Sequence, residues 1–327
     1  MLFYFKGGFI KGLVSKIESK DYYVLPSGED KLIRCSLRGK FKKDFSLKKD
    51  KLYHTDIVIV GDYVEFELNE DGSGVITKVE ERKNYISRKA PRIRGAGFRG
   101  ERLEQIIAAN IDKFFIVSSI TQPEFNNKVI DRFVVAGESS GLNIIIIINK
   151  IDLDDEKNFK SWEKLYKNIG YKVIPTSTIS LAGIDELKNE VKGYKNLFWG
   201  HSGVGKSSLL NCMFPGLNLE VGEISSFTDK GKHKTVTSFL IKADENTYVI
   251  DTPGVREIDP FGIRKEDVSH YFIEFKPYAD NCRFNTCTHY HEPGCEVVKA
   301  VENGEITYER YESYLRILET IQDDINY

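Results

Sequence analysis

Eight consecutive residues, Gly200-His-Ser-Gly-Val-Gly-Lys206-Ser207, constrain this chain more than any other feature. They satisfy G-x-x-x-x-G-K-[ST] in full, a pattern that arises by chance in about 1 in 100 chains of this length. The apolar Leu197-Phe198-Trp199 precedes them as a strand, and Ser207 to Asn211 continues as a helix. A strand, a glycine-rich turn and a helix N-terminus together bind phosphate, because backbone N–H groups converge where the helix dipole is positive. Gly200, Ser202, Gly203, Val204, Gly205, Lys206, Ser207 and Ser208 are the expected phosphate-binding residues. Lys206 neutralises the β- and γ-oxygens, and the Ser207 hydroxyl is placed to hold Mg²⁺.

Three further segments complete a nucleotide site. Asp251-Thr252-Pro253-Gly254 ends an apolar strand; Asp251 is the expected Mg²⁺ partner and the Gly254 N–H is aimed at the γ-phosphate. Asn149-Lys150-Ile151-Asp152 follows a run of isoleucines. The Asp152 carboxylate can accept from both N1–H and the 2-amino group of guanine, which adenine does not offer, while the Lys150 stem packs on the base and Asn149 ties this loop to the phosphate loop. Ser177, in Pro175-Thr-Ser-Thr178, supplies backbone for the guanine O6. The polar stretch Glu223–Thr237 reads as a switch, with Thr235 the candidate for Mg²⁺ and γ-phosphate. His233 reads equally as a participant in hydrolysis or as an exposed loop residue. Lys206, Thr235 and His233 are thus the candidate catalytic residues. Val255 stands where many GTPases carry the glutamine that orients water, so slow intrinsic hydrolysis is expected. Conventional GTPases run phosphate loop, switch, DxxG, NKxD and then the serine loop. Here the guanine-reading segments come first, so the order is circularly permuted.

Around this centre the chain divides into three. Residues 1–85 carry five short segments of β-branched and aromatic residues with turn signals at Pro26-Ser-Gly28 and Asp71-Gly72, which fits an OB-type barrel, with an SH3-like barrel equally compatible. Asn84 to Arg102 is rich in Arg and Gly and reads as a linker. Residues 86–260 alternate short apolar strands with helical stretches, the pattern of a parallel α/β sheet. Residues 261–327 are expected to be mainly helical and contain Cys282-x4-Cys287-x-His289-x5-Cys295, three thiolates and an imidazole suited to tetrahedral zinc in a closed, structural site. His291 is a rival ligand on spacing alone. Cys35 and Cys212 read as small apolar residues. The N-terminus lacks the pattern of a signal peptide and the longest apolar run, Ile144 to Ile148, is too short to span a bilayer, so a cytoplasmic protein without membrane association is expected.

The permuted order, the N-terminal barrel and the segments Ala109-Asn-Ile-Asp112, NKIDL, GHSGVGKSSLLN, DTPGVRE and C-x4-C-x-H-x5-C closely resemble the circularly permuted, ribosome small-subunit-dependent GTPase A family of bacteria. The resemblance covers nearly the whole chain. It implies an OB-fold, a permuted GTPase domain and a helical domain binding one structural Zn²⁺ through Cys282, Cys287, His289 and Cys295. It also implies GTP as substrate, GDP as product, and action on the small ribosomal subunit and its rRNA in late maturation, with hydrolysis stimulated by the subunit. A monomer is expected. The switch reads Gly231-Lys-His-Lys-Thr-Val236 where the family often has G-R-H-T-T-T, which leaves the switch threonine open, and Thr178 replaces the usual alanine. Nine Lys or Arg against two Asp between Lys31 and Lys51, with Phe41 and Phe45 interleaved, suit RNA backbone and base stacking. The net charge of −2 argues neither way. Two alternatives to an enzyme stand beside this reading: a nucleotide-gated RNA-binding switch, or a scaffold, each with negligible turnover.

Overall fold

The structure, a computed structural model, describes residues 9–39, 57–89, 104–219, 238–252 and 262–321. They gather into two compact units, each discontinuous in sequence: residues up to 112, 191–197 and the described part of 223–255 in the first, 113–190, 198–222 and the described part of 256–327 in the second.

The first unit is built on β1 (Ile10–Glu18), β2 (Asp21–Pro26), β3 (Ile33–Leu37), β4 (Tyr63–Leu68) and β5 (Gly74–Val79). Their order is β1-β2-β3-β5-β4, and β1 returns to pair with β4, which closes the barrel. The parallel β3–β5 pair decides between the two barrels the sequence allowed, since an SH3-like meander has only antiparallel neighbours. Val14, Val24, Cys35, Leu37, Val64, Phe66 and Ile76 fill the interior. Gly74 is dictated by that filling, because a Cβ there would stand 2.5 Å from the Cys35 sulfur. Burial also pushes the Cys35 thiol up to about 12, so it is a packing residue and not a nucleophile.

The segment expected to be a linker instead begins with a strand, β6 (Tyr85–Lys89), paired antiparallel with β7 (Glu104–Ala109). Its composition hid the strand because Arg88 and Lys89 occupy the ladder. Residues 109–112, the ANID segment, form a clasp within this unit. Asn110 donates to the Gly61 carbonyl (3.0 Å) and accepts from the Lys83 N–H (2.9 Å), and Asp112 accepts from the Lys195 N–H at 2.8 Å. Asp62, fully buried, is held by both arms of Arg82 at 2.8 and 2.9 Å. The same unit holds β12 (Phe239–Asp244) and β13 (Thr247–Asp251), an antiparallel pair whose outer member β12 meets β1.

The second unit carries β8 (Lys113–Ser119), β9 (Ile144–Asn149) and β10 (Lys172–Thr176), parallel and in register. Every residue of β9 is buried, which is why it could be written as five isoleucines and an asparagine. The connecting helices are α1 (Asn127–Ser139), α2 (Phe159–Ile169) and α3 (Ile184–Val191). Gly137 lets α1 lie against the sheet, as its Cβ would meet Ile144 and Phe114 at 2.8 to 2.9 Å. The strand β11 (Lys195–Trp199) leads into α4 (Lys206–Met213), and Phe198 stacks on Phe115 of β8 at 4.7 Å.

Short helices α5 (Lys276–Ala279) and α6 (Glu296–Glu302) and the longer α7 (Tyr308–Thr320) follow, with 3₁₀ turns at Lys265–Tyr271 and Ile273–Phe275. Their core of Val268, Phe272, Phe275, Val297, Tyr314 and Ile317 includes Val135 of α1. Arg310 of α7 is fully buried there. It donates to Asp131 of α1, and its Nε reaches Glu274 at 2.6 Å; Tyr166 of α2 donates to the same Asp131 oxygen at 2.7 Å. Removing one partner of such a buried ion pair costs about 3–5 kcal/mol, because the other charge is left unpaired. Among the described residues no helix is long and apolar enough to cross a membrane.

Gly61 adopts φ +91°, and a Cβ there would lie 2.2 Å from the Ala109 carbonyl oxygen. Gly61→Ala should therefore lower the stability of the first unit by about 3 kcal/mol or more, read as an earlier midpoint in urea unfolding.

Candidate functional site

The phosphate loop is shaped by what its glycines exclude. A Cβ at Gly200 would stand 2.1 Å from the Val117 carbonyl of β8, and one at Gly205 (φ +95°) would stand 2.4 Å from the Asn149 amide nitrogen. Gly203 also has positive φ, at +83°. The loop therefore lies directly on the ends of β8 and β9. Lys206 opens α4 and turns its ammonium back on the loop, donating to Gly200 O at 2.6 Å and His201 O at 3.0 Å. Ser207 is buried within the first turn of that helix, while Ser202 and Gly203 are exposed. Val204 is buried against the sheet and Ser208 is half-buried.

The Asn149–Asp152 segment meets this loop through one side chain. Asn149 Nδ2 donates to the Val204 carbonyl at 2.8 Å, and Asn149 Oδ1 accepts from Thr176 Oγ1 at 3.0 Å. The amide is buried, so both halves are committed and its orientation is fixed. Lys150 takes the left-handed conformation (φ 63°, ψ 34°) and donates to the Gln122 carbonyl. Asp152 is exposed on the 3₁₀ turn Ile151–Leu153. In the next loop the buried Ser177 hydroxyl accepts from the Ile179 and Ser180 N–H groups at 3.1 and 3.0 Å, and Gly183 is forced by the Pro175 carbonyl, 2.1 Å from its missing Cβ. That loop is held from within by these bonds.

Two contributors were not legible in the sequence. Thr176 fixes the Asn149 amide, a partnership across 27 positions. The turn at Gln122–Pro123 touches both motifs, receiving the Lys150 ammonium and lying 3.7 Å from where a Gly203 Cβ would be. Of the other expected site residues, Asp251 ends β13 in a buried position of the first unit. His233, Thr235 and Gly254 lie outside the described residues.

The cysteine cluster is assembled independently of the nucleotide loops. One ligand atom from each of Cys282, Cys287, His289 and Cys295 lies within 4.8 Å of the others. His289 Nδ1 is 3.3 Å from the Cys295 sulfur and 3.6 Å from that of Cys282, and those two sulfurs are 3.9 Å apart. Tetrahedral zinc with bonds of about 2.3 Å spaces its sulfurs about 3.8 Å apart, so donor set and spacing fit that ion. Burial pushes the His289 imidazole down, towards the neutral form that ligates metals. His291, its rival in the sequence, is exposed and outside the cluster. The reason is the loop between them. The carboxylate of Glu292 accepts from the Thr288 hydroxyl (2.5 Å) and from the N–H groups of Thr288, Tyr290 and His291 (2.9 to 3.2 Å), which turns His289 inwards at φ +52°. Burial alone would raise the Glu292 carboxyl; these donors outweigh it and hold it at about 2. The Tyr311 hydroxyl of α7 donates to His289 O at 2.8 Å and bolts the ligand loop to the helix.

Comparison with known proteins covers nearly the whole chain. Residues 79–261 match the family described as RsgA GTPase, and residues 11–76 match the RsgA N-terminal domain. A protein of Bacteroides fragilis called small ribosomal subunit biogenesis GTPase RsgA is 37% identical over 313 residues, covering 95% of this chain and 96% of its own length. Its namesake in Chlorobaculum parvum is 36% identical over 318 residues, 96% of this chain and 99% of that protein. The crystal structure of YjeQ from Thermotoga maritima superposes with a TM-score of 0.74 at 35% identity, covering 95% of this chain and 98% of that one. YloQ, described as a circularly permuted GTPase, superposes at 0.71 with 28% identity over the full length of both. With a family model over residues 79–261 and relatives 36–37% identical over nearly its whole length, the chain belongs to the RsgA GTPase family.

Proposed function

We propose that this GTPase acts on the small ribosomal subunit during its late maturation, binding it with GTP and leaving after hydrolysis that the subunit stimulates. The reading is carried by the full-length similarity to proteins named for small-subunit biogenesis, in a chain whose Asn149 couples a guanine-selective loop to a phosphate loop. An rRNA partner is supported by the count of Lys and Arg between Lys31 and Lys51, of which residues 40–51, Phe41 and Phe45 included, lie outside the described residues. Arg34 and Arg38 are exposed and pair with Asp21 and Glu67. A cytoplasmic monomer suits that role.

Each residue then has a physical task. The γ- and β-phosphate oxygens offer Lys206 charged acceptors in place of the neutral carbonyls it now meets, and charge-assisted hydrogen bonds are the stronger kind. The N–H groups of Gly200, Ser202, Gly203, Val204, Gly205 and Ser208 cradle those oxygens. Ser207, Thr235 and Asp251 hold Mg²⁺, which neutralises developing charge on the phosphates when bound. The Gly254 N–H meets the γ-phosphate. Asp152 accepts from guanine, the Lys150 stem covers the ring, and the backbone at Ser177 meets O6. His233 serves the hydrolysis step, in a chain where Val255 replaces the usual glutamine. Cys282, Cys287, His289 and Cys295 bind one structural zinc, with no position left for substrate.

Phosphate release should rise by orders of magnitude when purified small subunits are added; an unchanged rate would leave the nucleotide-gated switch as the better account. Asp152→Asn should weaken GTP about 10- to 100-fold, since a charged hydrogen-bond acceptor is lost, while xanthosine triphosphate gains. Unaltered GTP affinity, measured by displacement of a fluorescent nucleotide, would remove Asp152 as the base reader. For the metal, zinc content of purified variants is the readout: His289→Ala should lose the ion and melt earlier, and His291→Ala should retain it.

A further inference from the structure

α7 lies along α1 and is fastened to it at four levels. Asn127 Nδ2 donates to Glu309 O and Ser313 Oγ, both at 3.2 Å, Lys128 pairs with Glu312 at 2.9 Å, and Arg132 donates to the Thr320 hydroxyl. The fourth fastening is the buried Arg310, between Asp131 of α1 and Glu274, with its guanidinium 4.5 Å from the centre of the Phe272 ring. The opposite flank of α1 meets the nucleotide loops. Phe133 lies 6.1 Å from the His201 ring and 6.2 Å from that of Trp199, and Asn126, Ile130 and Phe133 line a cavity of about 410 Å³ with His201, Ser202 and Val204. The far side of α7 meets the cysteine cluster, through Tyr311 on His289 O and Tyr314 on Thr288 O.

A buried guanidinium cannot part from either carboxylate without stranding a charge, so α1 and α7 separate only at high cost and otherwise move as one. We propose that Arg310 is a positioning residue that makes the phosphate loop and the Cys/His cluster two ends of one cooperative body, so that zinc and guanine nucleotide strengthen each other's binding. This rests on the reading of both sites given above. A ligand that orders one end of such a body lowers the cost of ordering the other, and thermodynamic linkage makes the effect equal in both directions.

The test uses the full chain and two titrations. The affinity for a fluorescent GDP is measured in the zinc-loaded protein and after zinc is removed by a chelator; zinc affinity is measured by competition with a chromophoric chelator, with and without GDP. Loss of zinc should weaken GDP about fivefold or more, and GDP should tighten zinc by the same factor. Equal GDP affinity in the two forms overturns the proposal. Zinc-loaded protein that binds no GDP overturns instead the nucleotide reading beneath it. The double variant Asp131→Asn, Arg310→Gln replaces the α1–α7 ion pair with hydrogen-bonding groups and leaves the Glu274 carboxylate without its guanidinium. It should still bind both ligands while the reciprocal factor falls towards one, an outcome that simple loss of stability does not produce. A folded double variant with the full factor refutes the role of Arg310. Should it not fold, the outer pair Lys128→Ala, Arg132→Ala should lower the factor, and an undiminished factor there tells against the α1–α7 path.

Discussion

The nucleotide site depends on one buried amide. Asn149 spends its nitrogen on the Val204 carbonyl and its oxygen on the Thr176 hydroxyl, so the Gly200–Ser207 loop, the Asn149–Asp152 loop and the end of β10 share one hydrogen-bonded centre. An unsatisfied buried amide costs about 1–3 kcal/mol per group, which makes this arrangement all-or-none. Gly205 is the matching half, since any side chain there would occupy the space of the Asn149 nitrogen. The Gln122–Pro123 turn adds a second brace by receiving Lys150. The Gly200–Ser207 loop and the Asn149–Asp152 loop are therefore held in a set relation to each other.

That centre also explains why permutation is tolerated. Its parts come from the ends of parallel strands, and a strand end occupies the same place whichever way the chain arrives at it. What permutation changes is the neighbour in sequence. The chain leaving β13 proceeds to the Cys/His region, and the chain entering β8 comes from the ANID clasp. The C-terminal helices do not form a core of their own: Val135 of α1 belongs to it, and Arg310 is buried against Asp131. The Cys/His cluster sits at the far edge of this shared core, its ligand loop shaped by Glu292 and secured by Tyr311.

Much of this was legible in the residues. The isoleucine run of β9, the glycines and lysine of the phosphate loop, NKID, and the cysteine spacing are short local patterns whose chemistry is set by neighbours in sequence. The strand ending at Trp199 and the helix from Lys206 fell within two residues of expectation, because Leu197-Phe198-Trp199 is wholly apolar and the glycine-rich loop marks the helix start. The strand β6 was not legible, since Arg88 and Lys89 mask it, and neither were Thr176, Gln122 and Glu292, whose work is done on residues brought near by folding. Asp131 and Arg310 look like ordinary surface charges in sequence. Only their mutual burial makes them structural.

By itself the sequence carried the local patterns: a glycine-rich loop with its lysine, the NKID segment, three thiolates and an imidazole, and the permuted order in which they occur. Those follow from residue type and spacing, which the chain carries in one dimension. The tertiary structure decided which barrel the first strands close into, through the parallel β3–β5 pair. It decided that His289 rather than His291 joins the cysteines, through the turn that Glu292 imposes. It also decided that the C-terminal helices share a core with α1, through a guanidinium with carboxylates on both sides. Each of these is a choice between partners distant in sequence, and only a folded chain, which must pair most of its buried charges and hydrogen-bonding groups, makes that choice.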